Sequence, residues 1–276
     1  MLKLKLPGAK NNFFIEDVSS SCLIEQELSC SFYPYAASTV PENADVQGFD
    51  LWMSTDGKTL EIKTASKKVA TLLFDTSEAV YKKIVSLIRE NLLSEPNYCY
   101  LHGSAVSIMG ETCLFLAETG TGKTTLSVFW DMQKDKRCLS DDLIILNKDT
   151  FELYPISSNA HVRQSSSFLL GRRINALRYN ELIGRYEYPL EQERFSQKHF
   201  AKYIFVLQRK AGKPRIEPCE VPVHTVLENM FLPYQMTNNI VSAMKISQQF
   251  TVYNLFYEDL GATSELLEKF IRERNR

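Results

Sequence analysis

The stretch AETGTGKTT, residues Ala117 to Thr125, has the residue types and the spacing of a phosphate-binding loop. Gly120 and Gly122 allow the backbone to curl so that several N–H groups point inward, and the N-terminus of a following helix completes a nest for an anion. Lys123 can reach the β- and γ-phosphates of a nucleotide, and the Thr124 hydroxyl is suited to binding magnesium. The residues expected to hold the triphosphate are Glu118, Thr119, Gly120, Thr121, Gly122, Lys123, Thr124 and Thr125.

One position of this loop departs from the usual GxxxxGK[ST] pattern, because Ala117 stands where the first glycine is expected. That position usually ends the preceding strand, so alanine fits there as long as its φ angle stays negative. The context agrees with a phosphate loop, since a strand at 112–116 is predicted before it and a helix is predicted to begin at Lys123. We therefore expect a working nucleotide site.

Two adjacent carboxylates, Asp141 and Asp142, follow the loop and are the next candidates for chemistry. In most P-loop nucleotide hydrolases the acidic residue ends an apolar strand, whereas here the pair precedes the apolar run at 143–146. Of two such carboxylates, one can hold a metal ion while the other accepts a proton from an attacking hydroxyl. A turn with a capping role is the alternative interpretation of the same dipeptide.

The segment 102–146 resembles the catalytic core of HPr kinase/phosphorylase and its relatives, which share their nucleotide-binding fold with ATP-dependent phosphoenolpyruvate carboxykinase. The resemblance rests on His102-Gly103 before a predicted hairpin, on a loop of the form x-[ST]-G-x-G-K-[ST], and on the two aspartates about seventeen residues after it. More broadly, the layout is similar to stand-alone HPr-kinase-like proteins of bacteria. Some of those relatives phosphorylate a serine of a ribosomally made peptide, as in lasso-peptide tailoring.

This resemblance implies an α/β fold with a phosphoenolpyruvate carboxykinase-like P-loop core, in which helices pack on a mixed β-sheet. It also implies a small β-rich N-terminal region, which we assign to residues 1–95, and a catalytic domain at 96–276. A helix capped by Asp75, with Glu78 as the partner of a capping box, is the predicted seam between the two.

The resemblance implies a role for each candidate residue as well. Thr124 and Asp142 would hold magnesium, and Asp141 would be the general base that takes the proton of a substrate hydroxyl. Lys123 would bind the triphosphate, and His102 would lie close to the γ-phosphate or to the acceptor. For His102, a strand residue with a satisfied imidazole is the alternative.

The chain also departs from the family. A second signature rich in Glu, Arg and Gly follows the aspartates in HPr kinase/phosphorylase, and residues 155–200 contain no equivalent; the segment Ser157 to Arg163 occupies that region. We therefore expect neither phosphorylase activity nor HPr as the substrate. Arg163 or Arg194 could supply a positive group to the γ-phosphate, or each could be structural.

Three functional hypotheses follow. The first is an ATP- and magnesium-dependent kinase that transfers the γ-phosphoryl group to a hydroxyl, and the expected acceptor is a Ser or Thr of a protein or peptide. The second is a kinase for a small-molecule hydroxyl, and the third is a nucleotide-binding regulator without transfer activity. The residues contain no base-recognition motif, so the sequence does not separate ATP from GTP or pyrophosphate, and it does not identify the acceptor.

The charge and cysteine composition of the chain indicates which binding partners to expect. The chain has 276 residues with 32 Lys+Arg and 33 Asp+Glu, a net charge of -1, so we expect neither a nucleic acid nor a membrane as partner. Residues 161–220 are locally basic, with twelve Lys+Arg against six Glu, which indicates either a solvated face or a rim for phosphates. Six cysteines without CxxC spacing predict reduced thiols and a cytoplasmic protein. Relatives often assemble, so a homo-oligomer is a further expectation.

The remaining elements follow from periodicity and turn residues. Asp56-Gly57 predicts a hairpin between β-like runs at 49–53 and 59–63. Two more hairpins are predicted around 109–111 and 147–150, and a short strand is predicted at 98–102. Later elements are predicted as strands at 203–208 and 250–256 and as helices at 222–231, 237–249 and 263–274. Residues 155–200 have weak periodicity, and no element is assigned to them.

Overall fold

A computed structural model of the protein describes residues 1–6, 13–19, 21–38, 51–64, 68–92, 97–166, 170, 177–230 and 236–275. The strands are β1 (Leu2–Leu4), β2 (Phe13–Asp17), β3 (Ala36–Ser38), β4 (Leu51–Thr55), β5 (Thr59–Lys63), β6 (Lys68–Leu73), β7 (Tyr98–Leu101), β8 (Gly103–Ile108), β9 (Glu111–Leu116), β10 (Lys136–Ser140), β11 (Ile144–Asn147), β12 (Glu152–Tyr154), β13 (Asn159–Val162), β14 (Arg178–Asn180), β15 (Arg185–Pro189), β16 (His199–Arg209), β17 (Arg215–Pro218) and β18 (Val252–Tyr257). The helices are α1 (Leu23–Ser31), α2 (Ser77–Leu92), α3 (Lys123–Asp131), α4 (Pro222–Glu228), α5 (Met236–Gln249) and α6 (Leu260–Arg274). The fold is mixed α/β.

The N-terminal part is a six-stranded sheet in the order β3-β1-β2-β4-β5-β6, accompanied by α1 and α2. The predicted hairpin at Asp56-Gly57 is confirmed, because β4 and β5 pair antiparallel across it. Asp56 Oδ1 accepts hydrogen bonds from the backbone N–H groups of Lys58 and Thr59 at 2.9 and 2.7 Å, and Gly57 has a φ of 94°. Residues 49 and 50 of the predicted first run lie outside the described residues.

The second sheet holds the phosphate-loop segment, and its centre is parallel. Strand β16 pairs parallel with β9 on one side and with β18 on the other, so that Phe205 lies opposite Phe115 and Tyr253. Because parallel neighbours point the same way, the carboxyl ends of the three strands meet at one edge. The segment after β9 leaves the sheet at that edge, where open α/β sheets commonly bind ligands.

Helices cover both faces of this sheet, because its central strands carry apolar side chains on both faces. Phe115 and Phe205 point toward α3 and α6, where Trp130 lies 4.6 Å from the Phe115 ring between centroids. Their neighbours Leu114 and Ile204 point to the opposite face, which α4 and α5 cover. Since successive side chains of a strand face opposite ways, a strand buried on both faces reads as a continuous apolar run.

The two sheets share one apolar cluster. Ile84 of α2 belongs to the same buried cluster as Tyr100 of β7 and Ile145 of β11, together with apolar residues of the six-stranded sheet. The N-terminal part therefore packs directly on the part that carries the phosphate loop. The division at 95/96 stays a prediction, and that boundary lies outside the described residues.

Residues 155–200, which the periodicity left unassigned, contain a small sheet in the order β13-β15-β14. Its strands are only three to five residues long, which explains why no pattern was detectable. Several other predicted elements agree with the structure, including the hairpins β8–β9 and β11–β12. Helix α6 begins three residues earlier than predicted, at Leu260, because the Asp259 side chain caps it by accepting a hydrogen bond from Ala262 N at 2.6 Å.

Within the ranges given above, no helix is both long enough and apolar enough to cross a bilayer.

Candidate active site

The segment predicted to cradle phosphate is a tight loop between β9 and α3. Gly120 and Gly122 have φ values of 92° and 111°, which glycine adopts without strain. Gly122 is the N-cap residue of α3, so the N-terminus of that helix opens directly onto the loop. Ala117 is buried and is not among the residues with a positive φ. The prediction that alanine fits this position is therefore confirmed.

A tyrosine from a distant strand supports the loop. Tyr257 is the last residue of β18, and its hydroxyl donates a hydrogen bond to the carbonyl oxygen of Thr121. A Cβ atom at Gly122 would lie 2.7 Å from the Tyr257 hydroxyl oxygen. Gly122 is thus required both by its φ angle and by the close approach of this side chain.

The Lys123 ammonium lies beneath the loop. Its Nζ donates hydrogen bonds to the carbonyl oxygens of Ala117 at 2.5 Å and Glu118 at 3.2 Å. Burial lowers the pKa of Lys123 from its ordinary value, while the negative charges of Asp142 and Asp141 oppose that shift. The side chain is in the first turn of α3, where a phosphate on the loop would be within its reach.

The two aspartates face different surroundings. Asp141 is buried, and its two carboxylate oxygens accept hydrogen bonds from the Thr124 hydroxyl at 2.9 and 3.1 Å. Burial, with the neighbouring charge of Asp142, raises the pKa of Asp141 to about 7. Asp142 has a φ of 69°, which turns the chain, and 48% of its side chain is exposed. The turn therefore points one carboxylate at α3 and the other toward solvent.

This pairing differs from the sequence-based assignment. The prediction joined Thr124 to Asp142 as magnesium ligands, but the structure brings Thr124 to Asp141 instead. The physical reason is the end of β10, which carries Asp141 into the core beside the first turn of α3 before the chain reverses at Asp142. The roles of the two carboxylates themselves remain predictions.

His102 joins the pair from the turn between β7 and β8. Its backbone N–H donates to the carbonyl oxygen of Asn229 at 2.7 Å, which anchors the turn. Its Nδ1 lies 3.1 Å from the carbonyl oxygen of Asp142 and 3.9 Å from the carboxylate oxygen of that residue. The fold therefore brings His102 beside Asp142, and its place close to the γ-phosphate or the acceptor stays a prediction.

Most of these groups line one cavity of about 270 Å³. Asp141 is not among its described lining residues, but it contacts Thr124, which is. Three arginines line the cavity as well: Arg163, which follows β13, Arg185, which begins β15, and Arg209, which ends β16. Arg209 reaches the loop for a topological reason, because β16 extends three residues beyond Val206, the partner of the last residue of β9. The remaining described lining residues are His102, Thr119, Gly120, Thr121, Gly122, Lys123, Thr124, Thr125, Asp142, His161, Ser165, Ser166, Tyr257, Glu258 and Leu260.

The two arginines singled out from the sequence have different surroundings. Arg163 lines the cavity, and its guanidinium lies 3.9 Å from where a Cβ on Gly120 would be. Arg194 is not among the described lining residues of the cavity. It is buried, donates to the carbonyl oxygen of Ser157, and lies 4.5 Å from the centroid of the Phe195 ring. Its contacts are those of a structural residue.

Sequence reasoning missed Arg185, Arg209 and Tyr257 as cavity residues. For Arg209 and Tyr257 a signal existed, since both end apolar strands, and the carboxyl ends of parallel strands gather side chains at one edge. No equivalent signal existed for Arg185. It reaches the cavity through the small sheet, which the sequence did not reveal.

The residues present fit a magnesium ion chemically. Magnesium prefers oxygen ligands, and the Thr124 hydroxyl and the buried Asp141 carboxylate supply them side by side at the first turn of α3. The raised pKa of Asp141 reflects a buried negative charge that a cation would stabilise. The site can thus combine a phosphate cradle, a cation position and an exposed carboxylate.

No protein-family model matches the chain, and no curated protein matches it. One similar solved structure is described as the Hpr(Ser) kinase/phosphatase from Coxiella burnetii. It is 12% identical to this chain, with a TM-score of 0.32, and the match covers 64% of this chain and 95% of that one. A similarity at this TM-score assigns neither a family nor a function to the chain, so the function is inferred from the site.

Proposed function

We propose that the protein is a magnesium-dependent kinase that transfers the γ-phosphoryl group of ATP to a hydroxyl group, with a Ser or Thr of a protein or peptide as the acceptor. One observation carries the proposal. A phosphate-type loop, the Thr124 hydroxyl and an exposed carboxylate beside a histidine line one cavity, and the buried Asp141 carboxylate accepts a hydrogen bond from that hydroxyl.

The nucleotide end of the cavity is positive. The loop offers N–H groups at the N-terminus of α3, and Lys123 offers an ammonium beneath them. Arg163, Arg185 and Arg209 add guanidinium groups around the same space. Such groups stabilise the negative charge that spreads over the oxygens of a transferring phosphoryl group.

We assign magnesium to Thr124 and Asp141, on the basis of their contact. An ion held there would supply positive charge against the charge that develops on the phosphate oxygens. The Thr124 hydroxyl at the start of α3 donates to the Asp141 carboxylate at the end of β10, so the two oxygen ligands already lie side by side. This assignment exchanges the roles that the sequence suggested for the two aspartates.

Asp142 is then the general base. It is half exposed and lines the cavity, so an acceptor hydroxyl can approach it, and His102 lies beside it. The acceptor oxygen forms a bond to the γ-phosphorus, the bond from that phosphorus to the β–γ bridging oxygen breaks, and Asp142 takes the hydroxyl proton. ADP leaves with the bridging oxygen.

Labelled phosphate transfer tests this proposal. Purified protein with ATP labelled at the γ-position is offered Ser- and Thr-containing peptides encoded near its gene, and in parallel a panel of sugars, polyols and amino acids. Labelling of a peptide that requires magnesium and is lost in Lys123→Ala supports the proposal. Labelling of a small molecule alone favours the second hypothesis, and ATP binding without transfer to any acceptor favours the regulator.

A further inference from the structure

A second group of side chains that could bind a metal lies between the N-terminal part and the small sheet. It consists of Glu27 of α1, His161 of β13 and Glu187 of β15, and one ligand atom of each lies within 4.8 Å of the others. His161 and Glu187 are direct partners across the two strands, so their side chains leave the same face of the sheet. Glu27, which is only 3% exposed, approaches that face from the helix.

The histidine nitrogen in this cluster has an unusual environment. Within the described part of the chain, Nε2 of His161 is buried and has no hydrogen-bond partner. It nevertheless lies 3.2 Å from Oε1 of Glu27. Zinc bonds of about 2.0–2.1 Å place two ligand atoms of a tetrahedral shell roughly 3.4 Å apart. The separation of these two atoms is at the upper end of the hydrogen-bond range, and it also fits two ligand atoms that share one metal ion.

The carboxylates are held as metal ligands usually are, by an outer layer of hydrogen bonds. The side-chain amide of Asn180 donates to Oε2 of Glu27 and, at 2.6 Å, to Oε1 of Glu187. The Ser31 hydroxyl donates to Glu27 at 3.0 Å. These donors fix the orientation of both carboxylates, and outer-layer contacts of this kind are typical of metal sites.

The charge of the cluster leads to the same inference. Two carboxylates and one imidazole lie together, and buried negative charges need a positive partner. Arg178, the strand partner of Glu187, makes no ion pair of 4 Å or less among the described residues. A divalent cation would supply the charge and occupy the orphaned nitrogen at once.

We propose that Glu27, His161 and Glu187 form a zinc site, separate from the Thr124–Asp141 pair. An imidazole with two carboxylates is a donor set that zinc accepts, and water would complete a tetrahedral shell. The ion would join α1 of the N-terminal part to the small sheet. Since Arg163 follows His161 closely in sequence, the same ion would hold the strand that leads into the candidate active-site cavity.

Zinc titration of the nucleotide-free protein by calorimetry tests the site. We expect one zinc ion per chain in the wild-type protein and an affinity loss of about 10–100-fold in Glu187→Gln and in His161→Asn. His224→Asn, at an exposed histidine paired with Glu228, and His102→Asn are the matched controls and should retain the affinity. Absence of stoichiometric binding overturns the proposal. Retained affinity in both Glu187→Gln and His161→Asn also overturns it, whatever the controls show.

A second measurement covers the case in which Glu187→Gln or His161→Asn does not fold, as judged from circular dichroism. Cobalt replaces zinc, and its visible absorption reports the geometry around the ion. Intense bands of a tetrahedral nitrogen–oxygen site, unchanged in His102→Asn, are expected. The weak spectrum of hydrated octahedral cobalt would exclude the site.

Discussion

Among the described residues, two clusters each combine one histidine with two carboxylates, and they differ in their location and in their hydrogen-bond partners. The aspartate cluster, His102 with Asp141 and Asp142, lies at the edge where the parallel strands of the large sheet end. The glutamate cluster, Glu27 with His161 and Glu187, lies between α1 and the small sheet. His102 and Asp142 of the first line the cavity. His161 of the second lines it too, but both carboxylates of the second accept hydrogen bonds from one asparagine amide.

The comparison shows that the surroundings of a histidine and two carboxylates decide which role these side chains can have. Beside the aspartate cluster, Lys123, Thr124 and three arginines line a cavity together with Asp142, so a triphosphate and an acceptor can approach that carboxylate. In the glutamate cluster, the side-chain amide of Asn180 donates hydrogen bonds to one carboxylate oxygen of Glu27 and one of Glu187. We therefore expect chemistry at the first cluster and a structural role at the second.

The largest effect is expected from Asp142→Asn, which removes the proposed base while keeping the shape of the side chain. Phosphoryl transfer should fall by about 10²–10⁴-fold, the usual contribution of a general base. Asp149→Asn, at an exposed aspartate of the β11–β12 turn, is the matched control and should keep the wild-type rate. Equal rates in the two variants would remove Asp142 from the reaction and leave the two clusters without a functional difference.

The next effect concerns the cation at the aspartate cluster. Thr124→Ala removes the hydroxyl that contacts Asp141, so the magnesium concentration for half-maximal transfer should rise by about 10–100-fold. Thr124→Ser keeps the hydroxyl and should remain close to wild type. The measurement is a magnesium titration of the initial rate at saturating ATP. If Asp142→Asn raises the magnesium requirement and Asp141→Asn does not, the sequence-based roles of the two aspartates are the better ones. An unchanged requirement in Thr124→Ala would remove Thr124 from the cation site.

A third prediction tests the rigidity of the cavity wall. Gly122→Ala places a Cβ 2.7 Å from the Tyr257 hydroxyl and forces alanine to a φ of 111°. We expect a loss of about 1–3 kcal/mol in the free energy of unfolding, measured in urea, together with weaker ATP binding. Adding Tyr257→Phe removes the close contact but not the backbone strain, so recovery should be partial. Complete recovery would assign the whole cost to the contact.

The smallest effect is expected at the glutamate cluster. Asn180→Asp keeps the oxygen that accepts hydrogen bonds from Leu182 N and Ile183 N, but it loses the amide that donates to both glutamates. The free energy of unfolding without zinc should fall by roughly 1–3 kcal/mol, because two acceptors lose their donor. Zinc should restore part of it. An unchanged stability would mean that the amide does not hold the carboxylates.

Much of the candidate site could be predicted because its residues are close in sequence. Gly120 to Thr125 form one continuous segment of the loop and the first turn of α3, and local spacing alone identifies it. The contact of Thr124 with Asp141 rather than Asp142 could not be predicted, since one φ angle at Asp142 decides which carboxylate turns inward. Periodicity cannot report such a reversal.

The fold divides in the same way. The apolar runs of β9 and β16 and the hairpin residues Asp56-Gly57 identify their elements from the sequence. The short strands β13, β14 and β15 do not, because three to five residues are too few to establish a period. The residues on them, including Arg185 and Glu187, could not be connected to either cluster before the tertiary structure was known.

The sequence by itself determined the phosphate-type loop, the adjacent aspartates, the β-rich N-terminal part and the mixed α/β character. Each of these features follows from the spacing or periodicity of residues that are close together in the chain. Only the tertiary structure decided which aspartate faces Thr124, which arginines surround the loop, and that Glu27 meets His161 and Glu187. Those relations join residues that are far apart in the chain. They depend on the direction of parallel strands and on the packing of one sheet against another, which no single segment encodes.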